Sequence, residues 1–347
     1  MQIAYDLTEQ NMKAIGYQTA TKTLNANSFT VIELPTPTAQ GHDLLVEIKA
    51  ISVNPVDTKI RANVSPDEGH KIIGWDAVGI VKAVGDKVSL FNVGDRVYYA
   101  GDLTRAGSNA ELQLVDERIV GKAPASLNDA ETAALPLTSI TAWELLFDRL
   151  QVSRSKDAKP ESLLVIGAAG GVGSILVQLA RQLTNLTVVG TASRADSVKW
   201  LNELGAEHIL DHSKGLDAQR TEHSLGEFDY VISLTHTDQH LDEIVRVIKP
   251  QGKLALIDDP ASFDILKLKR KSISLHWEFM YTRSMFQTKD MIAQHELLTE
   301  LAQLVDNGTI KTTLGQHLGK ICVENLMKAH AILESHQSRG KLVLEGF

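Results

Sequence analysis

The segment that most constrains this chain is Gly167-Ala168-Ala169-Gly170-Gly171-Val172-Gly173. It follows the apolar run Leu163-Leu164-Val165-Ile166, which reads as a parallel strand covered on both faces. It precedes a stretch from Ser174 to Leu183 whose apolar residues at 175, 176, 179 and 183 keep helical spacing. Strand, glycine-rich turn and helix in this order are what a dinucleotide site requires. Small residues let the backbone approach a pyrophosphate, and the helix N-terminus offers unpaired N–H groups and a positive dipole. Ala168 stands where the first glycine of such a turn usually stands.

The alternation continues beyond the turn. Strands over 186–192, 208–210, 230–234 and 253–257, with helices over 195–204 and 241–248, predict a doubly wound parallel sheet. A further strand over 272–279 is expected at an edge of that sheet, where it invites pairing with a second copy and hence a homodimer. Upstream, residues 14–123 are rich in β-branched residues, glycine and turn signals. Strands over 43–51, 79–84, 96–99 and 111–115 point to an all-β, barrel-like module. A helix over 130–150, broken near Pro136, links the two modules. After a long helix over 292–305, Lys341-Leu342-Val343-Leu344 reads as a strand that returns to the first module. The expected fold class is α/β, with a β-barrel-like domain over 1–134 and 282–347 and a Rossmann-type doubly wound domain over 135–281.

Composition narrows the chemistry. The 347 residues, 43% hydrophobic, suffice for two cores. Lys and Arg number 35 against 43 Asp and Glu, a formal charge of −8, and the pI is near 5.8. No global basic field is available for nucleic acid or anionic membranes. Cys322 is the single cysteine, so neither an intrachain disulfide nor a cysteine-based zinc site can form within one chain. No run approaches the roughly 20 apolar residues of a membrane span, and the N-terminus lacks a basic-then-apolar leader, which suggests a cytoplasmic protein. The polar residues ahead of Met12 look like an extension before the first strand.

The cofactor is suggested by the end of the second strand. About 20 residues past the turn, a site selective for NAD places a carboxylate against the ribose 2′-hydroxyl. Here the chain reads Thr191-Ala192-Ser193-Arg194. A guanidinium without a carboxylate suits a 2′-phosphate, so NADPH is expected, held by Ser193 and Arg194, with Lys199 one turn later as a second cation.

Val53-Asn54-Pro55-Val56-Asp57, Gly74-Trp75-Asp76-Ala77-Val78-Gly79, Val93-Gly94-Asp95-Arg96-Val97, Leu135-Pro136-Leu137-Thr138 and the glycine turn together resemble the medium-chain dehydrogenase/reductase superfamily. The resemblance runs from Met12 to Phe347 and is to the quinone oxidoreductase-like branch, often called zinc-type alcohol dehydrogenase-like. It implies a GroES-like catalytic domain, a Rossmann domain and a cofactor cleft between them. It places Thr138 near the nicotinamide and Gly167, Gly170, Gly171, Val172 and Gly173 around the pyrophosphate. Zinc-dependent members hold their metal with a cysteine near the first segment and a His-Glu pair near the second. Asn54 and Trp75-Asp76 stand there instead, so no bound zinc is expected.

A metal-free cleft suits acceptors that spread negative charge by conjugation, namely quinones and α,β-unsaturated carbonyls. Asn54 is a candidate amide donor to the substrate oxygen, and Lys59 or Tyr99 a candidate proton source. Asp57 is expected to cap a helix and Trp75 to pack in the interior. The backbone at Ile257 follows the fifth Rossmann strand and is expected to meet the nicotinamide. Arg339-Gly340-Lys341 could reach the cofactor phosphates. The histidines at 276, 295, 317, 330 and 336 lack zincin spacing and are assigned no metal. Two alternatives stay open: a zinc-dependent alcohol dehydrogenase, and an NADPH-binding sensor or structural protein without turnover.

Overall fold

The computed structural model describes residues 11–347, so most of the polar extension ahead of Met12 lies outside the described residues. The chain forms two compact units. One extends to Leu137 and is completed by Tyr281–Gly308 and Thr312–Phe347; the other comprises Thr138–Met280 with Thr309–Lys311. The first changeover thus falls at 137/138, against an expected 134/135, and the second at 280/281, against 281/282.

The first unit opens with β1 (Asn11–Tyr17), β2 (Thr30–Pro35), β3 (Asp43–Val53), β4 (Lys71–Ile72), β5 (Ala77–Val84), β6 (Arg96–Tyr99), β7 (Leu112–Asp116) and β8 (Val120–Lys122). The second contains β9 (Glu161–Ile166), β10 (Leu186–Thr191), β11 (His208–Leu210), β12 (Phe228–Ser233), β13 (Ile248–Leu256) and β14 (Ser274–Trp277). β15 (Leu314–His317) and β16 (Lys341–Glu345) return to the first.

In the first unit, β3 pairs antiparallel with β5, β7 and β16, and β5 continues to β6 and β8. This is a GroES-like, mainly antiparallel arrangement, joined by the C-terminal strand as its apolar run suggests. β2, β1 and β4 form a separate small sheet over a satellite core of Met12, Ala14, Ile72 and Ala110. The register of β16 on β3 sets Leu342 opposite Val53, so Lys341 falls beside Asn54 just past the end of β3. That one-residue relation builds the polar cluster described below.

The second unit is an all-parallel Rossmann sheet in the order β11-β10-β9-β12-β13-β14. Counted from β9, this is 3-2-1-4-5-6, whose strand order reverses between the first and fourth strands, where ligands of open sheets collect. Leu163 to Ile166 are fully buried because β9 has neighbours on both sides and helices over both faces. On one face Leu241, Ile244 and Val247 of the helix Thr237–Val247 pack on Leu164, Val231 and Leu254. The linking helix breaks before Pro136, as expected, giving Asp129–Ala133 and Pro136–Trp143. It then widens into a π-helix over Glu144–Arg149, which periodicity alone does not reveal.

Candidate functional site

In the first unit, four polar side chains converge in a buried cluster. Asn54 precedes the helix Pro55–Asn63, and its N–H donates to the Asp57 carboxylate at 2.6 Å, so Asp57 serves the helix start as expected. The Asn54 amide nitrogen donates to Ser52 O at 3.2 Å and to Asp76 Oδ2 at 3.2 Å. Its amide oxygen accepts from Lys341 Nζ. Lys341 Nζ also lies 3.0 Å from Asp76 Oδ2, while Asp76 Oδ1 accepts the Leu137 N–H at 3.1 Å. Asn54, Asp57 and Asp76 are at most 1% exposed and Lys341 is 3% exposed.

Two sequence expectations change here. Both amide hydrogens of Asn54 are spent on internal acceptors, which leaves none for a substrate oxygen. Lys341 does not extend toward a phosphate, because its strand register turns it onto Asn54 and Asp76. Burial raises the Asp76 carboxyl above its ordinary range, partly offset by Lys341. Burial also pushes Asp57 up to about 7, against the lowering pull of the Asn54 N–H and Lys341, while Asp76 adds repulsion. Asp57 Oδ1 is buried without a hydrogen-bond partner.

The other candidates in this unit separate by exposure. Tyr99 is 1% exposed, its hydroxyl donates to Gln113 Oε1 at 3.0 Å, and burial raises its pKa far beyond the ordinary phenol value. A phenol so enclosed does not exchange protons with a bound substrate, so the expectation for Tyr99 is corrected. Lys59 is exposed on the helix Pro55–Asn63. Trp75 is buried, its indole N–H donating to Asp102 O at 3.0 Å.

In the second unit, the glycine turn follows β9 at the strand-order reversal. Gly167 has φ +79°, and its N–H donates to Thr191 Oγ1 at 3.1 Å. A Cβ on Gly173 would lie 2.2 Å from Ala168 O, so glycine there lets the helix Gly171–Leu183 seat directly on the turn. A Cβ on Gly170 would meet nothing nearer than Gly167 O at 3.5 Å, which leaves the backbone open to a ligand. Gly171 and Val172 are partly exposed in the first helical turn. The turn and helix N-terminus therefore fit a pyrophosphate.

Arg194 caps the helix Ala195–Leu204 three residues past β10, with Nη2 3.4 Å from Ser197 Oγ. Ser193 and Arg194 are exposed, and no carboxylate occupies the end of β10. Lys199 is exposed and 4.0 Å from Glu203 on the same helix. Thr138 is buried in the helix Pro136–Trp143, and Ile257 directly follows β13. Sequence reasoning missed His212, His236 and His240, which gather where β11 and β12 end. Their signal was position: His212 and His236 lie two and three residues after a parallel strand, and His240 lies in the first turn of the helix that follows.

Residues 40–125 match the alcohol dehydrogenase GroES-like domain family, and residues 204–344 match the zinc-binding dehydrogenase family. A zinc-type alcohol dehydrogenase-like protein of Staphylococcus epidermidis is 40% identical over 335 residues, covering 96% of this chain and 99% of the relative. The chain belongs to the medium-chain dehydrogenase/reductase superfamily. Within it, the chain falls in the zinc-type alcohol dehydrogenase-like, quinone oxidoreductase-like branch. The mouse quinone oxidoreductase is 28% identical, covering 89% of this chain and 90% of its own. Among solved structures, a Rhizobium etli protein provisionally described as a zinc-dependent alcohol dehydrogenase superposes with TM-score 0.94 at 54% identity, covering 97% of this chain and 99% of its own. A mycobacterial protein solved with NADPH superposes with TM-score 0.79 at 25% identity, covering 96% and 99%.

This medium-chain dehydrogenase/reductase therefore has structural relatives that bind NADPH. The zinc in some of the names does not fit the residues present. Among the described residues no three His, Cys, Asp or Glu side chains converge to hold a metal. Asn54 and Asp76 direct their oxygens at the Lys341 ammonium, a cation supplied by the chain itself.

Proposed function

We propose that this chain is an NADPH-dependent, zinc-independent reductase of quinones or α,β-unsaturated carbonyls. The observation that carries the reading is Lys341. Its ammonium occupies the polar cluster of Asn54 and Asp76, the segments in which zinc-dependent members keep their ligands, so the donor set is already neutralised. When bound, NADPH supplies a hydride. The N–H groups of Gly171, Val172 and Gly173 would bind its pyrophosphate, with Gly167 shaping the turn and accepting the Gly170 N–H at 3.2 Å, while Gly170 leaves room for the phosphates. Ser193 and Arg194, assisted by Lys199, would bind the 2′-phosphate. Thr138 and the Ile257 backbone would border the nicotinamide.

Without a Lewis acid, conjugated acceptors are favoured because they delocalise the charge that hydride arrival creates. Asn54 spends both amide hydrogens inside the polar cluster and does not donate to the substrate. Lys59, exposed on the helix Pro55–Asn63, is the proton source in this reading. The mouse quinone oxidoreductase supports the acceptor class by its similarity. The absence of any long apolar helix among the described residues is consistent with a cytoplasmic setting, which we propose together with a homodimer.

The test is NADPH oxidation with a panel of quinones and alkenals after exhaustive chelation. Undiminished turnover is the expected result. Loss of activity that zinc alone restores would instead establish the zinc-dependent alternative. Tight NADPH binding with no acceptor reduced would leave the silent, cofactor-binding alternative in its place.

A further inference from the structure

Two parallel strands, β11 and β12, bring three histidines to one end of the Rossmann sheet. His212 lies two residues past β11, and its Nδ1 is 3.3 Å from Thr191 Oγ1, the same hydroxyl that accepts the Gly167 N–H at 3.1 Å. One threonine therefore ties this imidazole to the glycine turn. With Nδ1 facing Thr191, Nε2 is the nitrogen left to meet an oxyanion. His240, on the helix Thr237–Val247, meets His212 edge to face with ring centroids 6.1 Å apart. His236, just before that helix, has φ +50° and ψ +38°, a left-handed conformation rare for a non-glycine residue. Its Nδ1 is 2.6 Å from Thr235 Oγ1, and the Thr235 methyl would lie 2.9 Å from a Cβ on Gly167.

We propose that His212 and His240, with His236 beside them, form a proton-coupled part of the 2′-phosphate site next to Arg194, so that binding NADPH takes up protons whereas binding NADH does not. This rests on the NADPH reading above and extends it to the residues that set preference between the two dinucleotides.

The charges facing the cluster support it. Burial, helped by His236 and Arg194, holds His212 below the ordinary imidazole value, with Asp211 opposing. Burial, with His212 and His236, does the same for His240 against Asp238 and Asp258. Two of these acids have other partners. Asp258 accepts from the Thr237 N–H at 2.8 Å and hydroxyl at 2.5 Å, and Asp211 from the Ser213 N–H at 2.9 Å and hydroxyl at 2.6 Å. Lys214 lies 3.6 Å from Asp211. His212 and His240 are thus held toward their neutral form in the free protein, and a phosphate dianion beside them favours their charged form. Since such a phosphate has its second pKa near 6, the protons taken up above about pH 6.5 go mainly to the imidazoles.

Calorimetric titration with NADPH, NADH, 2′-AMP and 5′-AMP, in buffers of different ionisation enthalpy, reads proton uptake directly and needs no turnover. Each proton taken up steepens affinity by about tenfold per pH unit. NADPH and 2′-AMP should bind about three- to tenfold more tightly at about pH 6.5 than at about pH 8. NADH and 5′-AMP should change by less than about twofold over the same range. His212→Asn and His240→Gln should each reduce the uptake on NADPH binding. Unchanged uptake in both variants overturns the proposal, as does equal uptake with NADH. Zero uptake by the unaltered protein does so as well, whether or not either variant folds. Failure of both dinucleotides to bind removes the cofactor reading and this proposal with it, whereas NADPH binding with a flat pH profile removes this proposal alone.

Discussion

At the residue scale, the decisive side chain is Lys341, an ammonium enclosed with two carboxyls and an amide in the first unit. Its attraction to Asp76 has to offset the desolvation of both ions, and such an arrangement is most costly when one partner is removed. Lys341→Met should destabilise the fold by about 3–5 kcal/mol, because it leaves buried carboxyls without a counter-charge. The sign of the pH dependence follows from Asp57. Its folded pKa of about 7 exceeds the ordinary aspartate value of 3.8, so above 3.8 the unfolded chain releases the proton first. Stability contributed by the protonated carboxyl is therefore lost as pH rises toward 7. Removing Lys341 raises the carboxyl pKa values further and carries that loss into the alkaline range. Urea denaturation of Lys341→Met at about pH 6 and about pH 8 checks this: the deficit should be larger at the higher pH, and Asp76→Asn in the same background should recover much of it. A deficit below about 1 kcal/mol at both would mean that the cluster is hydrated and the pairing weak.

At the element scale, the proposed cofactor site is a strand, a turn and a helix repeated along one edge of a sheet. β9 supplies the glycine turn, and β10 ends three residues before Arg194. The proposed preference for a 2′-phosphate rests on a guanidinium at a helix start, where the dipole adds to its charge. Arg194→Ala should weaken NADPH binding by about tenfold or more while changing NADH by less than about threefold, consistent with charge-assisted hydrogen bonds of about 1.5–3 kcal/mol. Fluorescence titration of both dinucleotides measures it, and equal weakening would refute the assignment to the 2′-phosphate. Gly173 shows why the turn reads so clearly in the sequence. Any side chain there would collide with Ala168 O, so the local geometry admits almost one residue type. The π-helix over Glu144–Arg149 is the opposite case. It encloses Glu144 and joins Arg149 to Glu278 at 2.7 Å, a contact between distant residues that no local pattern announces.

At the scale of the whole molecule, the Rossmann sheet ends at β14, with Trp277 and Phe279 exposed at 52% and 46% along that edge. An unpaired edge with apolar side chains favours continuation of the sheet into a second copy. Sedimentation should therefore find a dimer, and Trp277→Asp should shift it to monomer; a monomeric unaltered protein would defeat the proposal. The sequence by itself determined the two fold classes, the glycine-rich turn between β9 and its helix, and the strand that returns to the first unit. Periodicity and glycine placement are local properties, and each leaves its mark within about ten residues. Set against the family it resembles, it also placed Asn54, Trp75 and Asp76 where zinc-dependent members keep their ligands. Only the tertiary structure decided where those residues direct their atoms. Asn54 resembled a free donor and Tyr99 a free acid until Ser52, Asp76 and Gln113 were brought to them. Lys341 resembled a phosphate ligand until β16 was laid on β3 and carried its ammonium beside a side chain 287 positions away. Hydrogen-bond partners are set by strand register and burial, which depend on the whole chain having folded.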